Sequence, residues 1–155
     1  KLRSVNPNIL DAIRTVCYFL LMAAKPQKIL MADDESNILN LSSEALKQLG
    51  YDVVTASNGI MAFEKALAER PDLIILDRQM PGMSGIEVCK KIRETAEVRS
   101  TPIIFLTGQD TKTEIMEGYS EGANEYITKP FNMNELIETV ASTLLRSKNT
   151  PGQPA

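Results

Sequence analysis

Residues 72–82 of the chain read DLIILDRQMPG, and this stretch decides the fold class. Four apolar residues follow Asp72 without interruption, and a charged residue, Asp77, comes directly after them. The run PIIFL at 102–106 is equally apolar. Short and nearly continuous apolar runs are typical of strands that are buried on both faces of a parallel sheet.

Five such runs are spread along residues 27–147. They are KILMA (28–32), DVVTA (52–56), DLIIL (72–76), PIIFL (102–106) and EYIT (125–128). Between the runs, apolar residues recur at helical spacing, strongly in Ile38, Leu41, Ala45 and Leu49 and weakly at 115–119. Five alternations of strand and helix predict a doubly wound α/β fold with a parallel sheet.

Polar residues come where the predicted strands end. Asp33 and Asp34 follow the first run, Asp77 the third, Thr107 the fourth, and Lys129 with Pro130 the fifth. Ligands of open parallel sheets bind at the carboxyl ends of the strands, so these side chains are expected to meet at one edge. A single acidic residue there is often only a helix cap, and Asp34 could cap the first helix. The convergence of the whole set favours a site.

The chemistry of this set points to phosphoryl transfer. Three carboxylates packed together repel one another, so a cation must compensate for their charge. Mg²⁺ prefers oxygen ligands, and Lys129 adds a fixed positive charge. A carboxylate nucleophile, a metal ion, a hydroxyl donor and an ammonium group together fit the transfer of a phosphoryl group to an aspartate.

Four segments of the sequence resemble the receiver domain of two-component response regulators. They are KILMADDESN, LIILDRQMPGMSGIEVCKKIR, PIIFLTG and GANEYITKPF, in this order, within residues 27–147. The resemblance implies a flavodoxin-like five-stranded sheet of order 2-1-3-4-5. It also implies a cytoplasmic signalling domain, not an enzyme, that a histidine kinase or phosphotransfer protein phosphorylates. Such a domain signals to a downstream protein, here unknown, through its fourth helix, fifth strand and fifth helix.

The resemblance also assigns roles to the acidic residues. Asp77 matches the phosphoacceptor, and Asp33 with Asp34 matches the acidic pair that holds Mg²⁺. Asp34 is favoured as the direct ligand, while Asp33 acts partly through water. Asp77 itself and the backbone carbonyl of Gln79 complete the expected metal ligands.

Further roles follow for the residues on the last two strands. Thr107 matches the switch hydroxyl, and Tyr126 matches the aromatic residue that turns inward when Thr107 moves. Lys129 matches the lysine that pairs with the acyl phosphate. Pro130 matches a proline whose peptide bond is cis. Pro81, Gly82 and Gly85 match the tight loop after the acceptor strand, where glycine permits a positive φ.

Two other functions are compatible with parts of this pattern. A phosphatase of the haloacid-dehalogenase type also uses an aspartate at a strand end with Mg²⁺, but it has a second aspartate two residues later, where this chain has Gln79. A receiver-like module that is never phosphorylated usually lacks one of the acidic residues or the lysine, and here all of them are present.

Composition excludes several other classes of function. The chain has 155 residues, a net charge of −3 and no histidine. Histidine-based nucleophilic catalysis and a role as a phosphohistidine carrier are therefore excluded. An acidic domain is also unsuited to direct nucleic-acid binding. Cys17 and Cys89 stand among apolar residues, which is typical of buried thiols in a reducing compartment.

The resemblance does not extend to residues 1–26. An apolar stripe at helical spacing predicts a helix there, made by Ile9, Leu10, Ile13, Val16, Cys17, Leu20, Leu21 and Ala24. Pairing of residues 8–24 with a second copy, giving a homodimer, is the favoured interpretation. A membrane anchor is disfavoured, because the apolar run is short and Asp11 and Arg14 interrupt it. Packing of one face onto the chain's own receiver, or a helix severed from an upstream domain, stays open.

The chain is expected to comprise three parts. A helical extension covers 1–26, a receiver domain 27–147, and a tail or linker 148–155, where the sequence KNTPGQPA is rich in proline and polar residues. A stand-alone receiver and a piece of a longer protein are both compatible with this division, and the lysine at position 1 favours the second.

Overall fold

The computed structural model describes residues 25–108 and 122–149. The elements within these ranges are β1 (Lys28–Ala32), α1 (Ser36–Gln48), β2 (Asp52–Ala56), α2 (Gly59–Glu69), β3 (Leu73–Asp77), α3 (Gly85–Glu94), β4 (Ile103–Thr107), β5 (Glu125–Thr128) and α4 (Met133–Asn149). The strands form one five-stranded sheet in the order β2-β1-β3-β4-β5, and all its pairs are parallel. The predicted doubly wound, flavodoxin-like fold is confirmed.

Two strands lie one residue further along the chain than the apolar runs predicted. β3 ends at Asp77, which pairs with Leu106, and β4 ends at Thr107, which pairs with Thr128. Both polar residues therefore belong to the sheet instead of following it. The sequence placed the boundary at the change from apolar to polar side chains, whereas strand pairing depends on the backbone.

The core forms two layers, because successive side chains of a strand point to opposite faces of the sheet. Leu30, Ile74 and Phe105 belong to the layer under α2 and α3. Ile29 and Ile104 belong to the layer under α1 and α4. All residues of β3 and β4 are buried, as the continuous apolar runs predicted.

The ends of three helices carry residues that satisfy their terminal backbone groups. Gly50, at φ +90°, follows α1, and its N–H donates to the carbonyl of Lys47 over 2.9 Å. This left-handed glycine satisfies a carbonyl at the end of the helix. Asn58 caps α2, where its Oδ1 accepts the N–H of Met61 at 2.9 Å. Asn132 caps α4 in the same manner.

Several predicted elements lie outside the described residues: the helix at 8–24, the fourth helix near 115–119 and the tail from 150 onward. The last helix continues through Asn149, two residues into the segment predicted as a tail. Within 25–108 and 122–149, no helix has both the length and the apolar character that crossing a membrane requires.

A tight loop after β3 positions the end of that strand. Gly82 adopts φ +80°, a conformation that residues with a side chain rarely take. Gly85 is required for a different reason, because the backbone of β3 packs closely against its Cα. Its N–H donates to the carbonyl of Arg78 at 3.0 Å, and a Cβ on Gly85 would lie 2.1 Å from the carbonyl oxygen of Asp77. The start of α3 thus lies directly against the end of β3.

We expect Gly85→Ala to lower the free energy of unfolding by more than about 2 kcal/mol, because the new methyl group forces the backbone of Asp77 and α3 apart. Gly108→Ala is the matched control. A Cβ at Gly108 would meet nothing within 4 Å, so its effect is expected to stay within about 1 kcal/mol. Urea unfolding of both variants measures the difference, and equal stabilities would contradict the packing role of Gly85.

Candidate phosphoryl-transfer site

The carboxyl ends of β1, β3 and β5 bring charged side chains together. Asp33 follows β1, and its N–H donates to the carbonyl of Ala56 at 3.1 Å. Asp77 is the last residue of β3. Lys129 follows β5, and its backbone N–H donates to the carbonyl of Thr107 at 2.6 Å. These backbone hydrogen bonds extend the sheet beyond its strands and hold both flanking residues at its edge.

The ammonium group of Lys129 lies among three carboxylates. Its Nζ is 2.8 Å from Oδ2 of Asp33, 3.1 Å from Oε1 of Glu35 and 3.1 Å from Oδ2 of Asp77. The side chain of Asp33 is completely buried, whereas that of Glu35 is 60% exposed. Oδ2 of Asp33 has no well-aligned hydrogen bond, because its contact with Nζ is close but poorly directed. A buried carboxylate oxygen without a well-aligned hydrogen bond can serve as a ligand for a further cation.

The pKa values of Asp77 and Lys129 are both raised, but for different reasons. Burial raises the pKa of Asp77, and it outweighs the hydrogen bonds from Lys129 and the backbone of Gln79, which lower it. Burial alone would lower the pKa of Lys129. The ion pair with Asp33 and the hydrogen bonds to Asp77 and Glu35 outweigh it, so the pKa of Lys129 lies well above its ordinary value. The lysine is therefore charged at neutral pH.

Glu35 is the member of the site that the sequence did not indicate. Among the described acidic residues, those with oxygens within 4.8 Å of one another are Asp33, Glu35 and Asp77. Asp34 is exposed, and α1 has Glu35 at its N-cap position with no side-chain cap. The interpretation of Asp34 as a helix cap is therefore wrong, while its role as a metal ligand stays a prediction. The acidic run at 33–35 was the available signal for Glu35.

The first residues of the β3–α3 loop add a backbone donor. The N–H of Gln79 donates to Oδ1 of Asp77 at 3.2 Å, while Gln79 itself is exposed. Coordination by the Gln79 carbonyl stays a prediction. The donor set as a whole is made of carboxylate oxygens in excess over one ammonium group, which fits a hard divalent cation such as Mg²⁺.

The two residues expected to act as a switch lie on neighbouring strands. Thr107 is buried at the end of β4, and its Oγ1 donates to the carbonyl of Gly108 at 3.3 Å. Tyr126 on β5 is partly buried, and its ring stacks on Phe105 with centroids 5.7 Å apart. The peptide bond between Lys129 and Pro130 is cis.

Comparison with known proteins gives the family. A sequence model of the response regulator receiver domain matches residues 29–141. The chain belongs to this family. Receiver domains are signalling domains of two-component systems that are phosphorylated on aspartate.

Individual relatives agree with this assignment. The receiver domain is 43% identical over 122 residues to the alkaline phosphatase synthesis transcriptional regulatory protein PhoP of Bacillus subtilis (strain 168). The match covers 79% of the chain and 50% of PhoP, so the chain spans about half the length of this relative.

Solved structures show the same fold. Chemotaxis protein CheY4 of Vibrio cholerae superimposes with a TM-score of 0.73 and 36% identity, over 77% of this chain and 99% of that one. The receiver domain of a sensor histidine kinase from Pseudomonas aeruginosa PAO1 gives a TM-score of 0.71 and 29% identity, over 77% of this chain and 98% of that one. That structure has a magnesium ion coordinated in its active site cleft.

We expect Lys129→Gln, without added metal, to lower the free energy of unfolding at pH 7.5 by about 2 kcal/mol. The exposed Glu35 contributes little to this loss, because water screens its attraction to Lys129. The loss is expected to shrink toward pH 5. Burial raises the pKa of Asp77, and loss of the ammonium group removes the contact that opposes this shift, so stability is lost as pH rises through the folded-state pKa of Asp77.

Lys28→Gln is the control for this experiment. Lys28 pairs with Glu69 and Asp52 at the surface of the opposite edge, so its loss is expected to leave stability nearly unchanged. Urea unfolding at the two pH values measures both variants. A penalty for Lys129→Gln that does not depend on pH would contradict the charge-balancing role of Lys129.

Proposed function

We propose that Asp77 accepts a phosphoryl group from a histidine kinase or a phosphotransfer protein. An oxygen of the Asp77 carboxylate forms the new bond to phosphorus as the bond between phosphorus and the donor's histidine nitrogen breaks. Residues 1–155 contain no histidine, so the donor histidine lies outside this sequence. On this proposal the chain catalyses only its own phosphorylation and dephosphorylation, in the cytoplasm.

One observation carries the proposal: the Lys129 ammonium group lies 3.1 Å from Oδ2 of Asp77, at the open carboxyl edge of the sheet. The ammonium can neutralise charge that develops on the incoming phosphoryl oxygens. The hydrogen bond from Gln79 holds the other carboxylate oxygen and so orients the acceptor. The side chain of Asp77 is 10% exposed, which leaves it reachable from one side.

We further propose that the reaction requires Mg²⁺. Three carboxylates face one ammonium group, and an incoming anion would add to the excess of negative charge. The proposed ligands are Asp33, Asp34, Asp77 and the backbone carbonyl of Gln79. Glu35 is the alternative to Asp34, because its carboxylate already lies in the cluster. When bound, the ion supplies charge neutralisation for the acceptor and the phosphoryl group.

Signal transmission is proposed to start at Thr107. Its hydroxyl lies one strand away from Asp77, and Tyr126 lies on the next strand of the sheet. Movement of Thr107 toward the phosphoryl group, followed by Tyr126, would alter the surface of β5 and α4 together with the predicted fourth helix, which lies outside the described residues. An unknown downstream protein would bind there.

The alternative functions have less support. A haloacid-dehalogenase-type phosphatase has a second aspartate two residues after its nucleophile, and here the exposed Gln79 occupies that position. A receiver-like module without phosphorylation has no need for Lys129 beside Asp77, yet the contact is present. No observation favours either function over phosphoryl acceptance.

We expect the protein to become phosphorylated when it is incubated with Mg²⁺ and acetyl phosphate, and we expect Asp77→Asn to abolish this, since an amide cannot form the acyl phosphate. Intact-protein mass spectrometry detects the added group. Asp72→Asn is the matched control, because Asp72 immediately precedes β3 at its opposite end. Undiminished phosphorylation of Asp77→Asn would overturn the assignment.

A calorimetric Mg²⁺ titration distinguishes the two candidate ligands. Asp34→Asn and Glu35→Gln remove the same charge from neighbouring residues. We expect Asp34→Asn to weaken Mg²⁺ binding by about tenfold or more and Glu35→Gln by less than about threefold, because a direct ligand contributes more than a neighbouring charge. The reverse order would assign the ligand to Glu35. Unchanged affinity in both variants, and in Asp33→Asn, would contradict a metal site at this edge.

A further inference from the structure

Two helices on the same face of the sheet carry apolar residues at helical spacing, some of them exposed and others, such as Ile38 and Ile137, half-buried. Along α1 and its C-cap the stripe consists of Ile38, Leu41, Ala45 and Leu49, and along α4 of Met133, Ile137, Ala141 and Leu145. Leu41 is 68% exposed, Leu49 55% and Leu145 63%. The polar residues Asn40, Glu44 and Lys47 are exposed on a different side of α1 from this stripe. Exposed apolar side chains in such an order indicate a surface that something covers.

The α1 stripe faces the beginning of α4. Ile38, Leu41 and Ser42 line a cavity of about 210 Å³, and its other wall is formed by Lys129, Pro130, Phe131 and Met133. This wall is the connection between β5 and α4. The apolar flank of α1 is therefore the flank on the side of α4.

The α4 stripe faces α1 in return. Arg146 pairs with Glu125 on the edge strand β5, so its flank of α4 points to β5. Successive residues of a helix are about 100° apart, which places Ile137, Ala141 and Leu145 about 100–180° away from Arg146. That flank is the one toward α1, which contacts α4. The two stripes thus border one groove, the α1–α4 groove.

We propose that residues 8–24 of this same chain occupy the α1–α4 groove as a helix. Their sequence carries the matching apolar stripe, which includes Ile13, Cys17 and Leu20. Of the five large apolar side chains that are exposed among the described residues, Leu41, Leu49 and Leu145 border this groove, and the less exposed Ile60 and Leu67 lie on α2. Burial of both surfaces against each other removes apolar area from water, which is the main driving force for such packing.

The connection to β1 keeps the segment close to the groove. The carbonyl of Gln27 accepts the N–H of Asp52 at 3.0 Å, so Gln27 is fixed to the sheet. Three residue steps from Gln27 to Ala24 span at most about 11 Å. The segment is therefore tethered at the amino edge of the sheet. Helices α1 and α4 both end at this edge, because they run antiparallel to the strands that they connect or follow.

The length of the segment also matches. A helix of 17 residues is about 25 Å long, and α4 itself has 17 residues. A helix that ends at Ala24 and runs in the same direction as α1 and α4 would extend along the groove. Its first turn would then reach the cavity beside Lys129, at the edge that carries Asp77.

The groove changes the balance between two interpretations of the segment. The sequence favoured a homodimer through 8–24 because a receiver is complete without this helix and packing onto its own receiver would cover only one face of the helix. The short tether gives the segment a high effective concentration at its own groove, on the order of millimolar, whereas a second copy must compete from solution. Intramolecular packing is therefore favoured at micromolar protein concentrations.

Disulfide trapping in the full chain tests the proposal, because Cys17 lies on the stripe that would face the groove. Ala45→Cys and Ala141→Cys place a thiol on either wall of the groove at small, partly or fully exposed positions that leave the fold intact. Glu44→Cys, on the polar flank of α1, is the matched control. A disulfide forms only where the Cα atoms approach to about 4.4–6.8 Å.

We expect mild oxidation to give a monomeric cross-linked species in at least one groove variant, at a rate about tenfold or more above that of Glu44→Cys. Non-reducing electrophoresis and intact mass detect it, its rate should not depend on protein concentration, and Cys17→Ser should remove it. Disulfide-linked dimers at a concentration-dependent rate would assign the groove to a second copy and overturn the proposal. Groove variants that react no faster than Glu44→Cys would overturn it too.

Discussion

Lys129 holds one positive charge against three carboxylates at the carboxyl edge of the sheet. Through this contact the residue after β5 is joined to the residue after β1, the last residue of β3 and the N-cap of α1. The attraction is strongest for the buried Asp33, where little water screens it, and weakest for the exposed Glu35. Three negative charges and one positive charge leave the edge with a local charge of −2. That excess makes a cation a natural further component of the edge.

The sequence was sufficient for the fold and for most of the charged edge. Buried parallel strands appear as continuous apolar runs, and the residues at their ends must converge, so Asp33, Asp77 and Lys129 could be placed together without coordinates. Strand boundaries were harder to predict, since Asp77 and Thr107 are polar yet still pair within the sheet. Glu35 could not be found by that reasoning, because it is the N-cap residue of a helix and reaches the site only when its side chain meets Lys129.

One further feature has a signature in the sequence, and another depends on three-dimensional information. Ser84 and Glu87 form a capping box at α3, and the spacing of serine and glutamate three residues apart is its known signature. Arg93 lies near the end of α3, and its guanidinium donates to the carbonyls of Arg99, Thr101 and Gly122. These acceptors are backbone groups, which leave no trace in the amino-acid sequence.

The position of Gly59, at the first turn of α2, gives the edge a support that contains no charged group. A Cβ on Gly59 would lie 1.9 Å from the carbonyl oxygen of Met83, so main chain packs directly on main chain between α2 and the loop after β3. Side chains can adopt new rotamers when a neighbour shifts, but two backbones in contact can only move together. The positions of Asp77 and Gln79 therefore depend in part on α2. Although α2 contributes no residue to the site, its packing limits how far the acceptor carboxylate can shift.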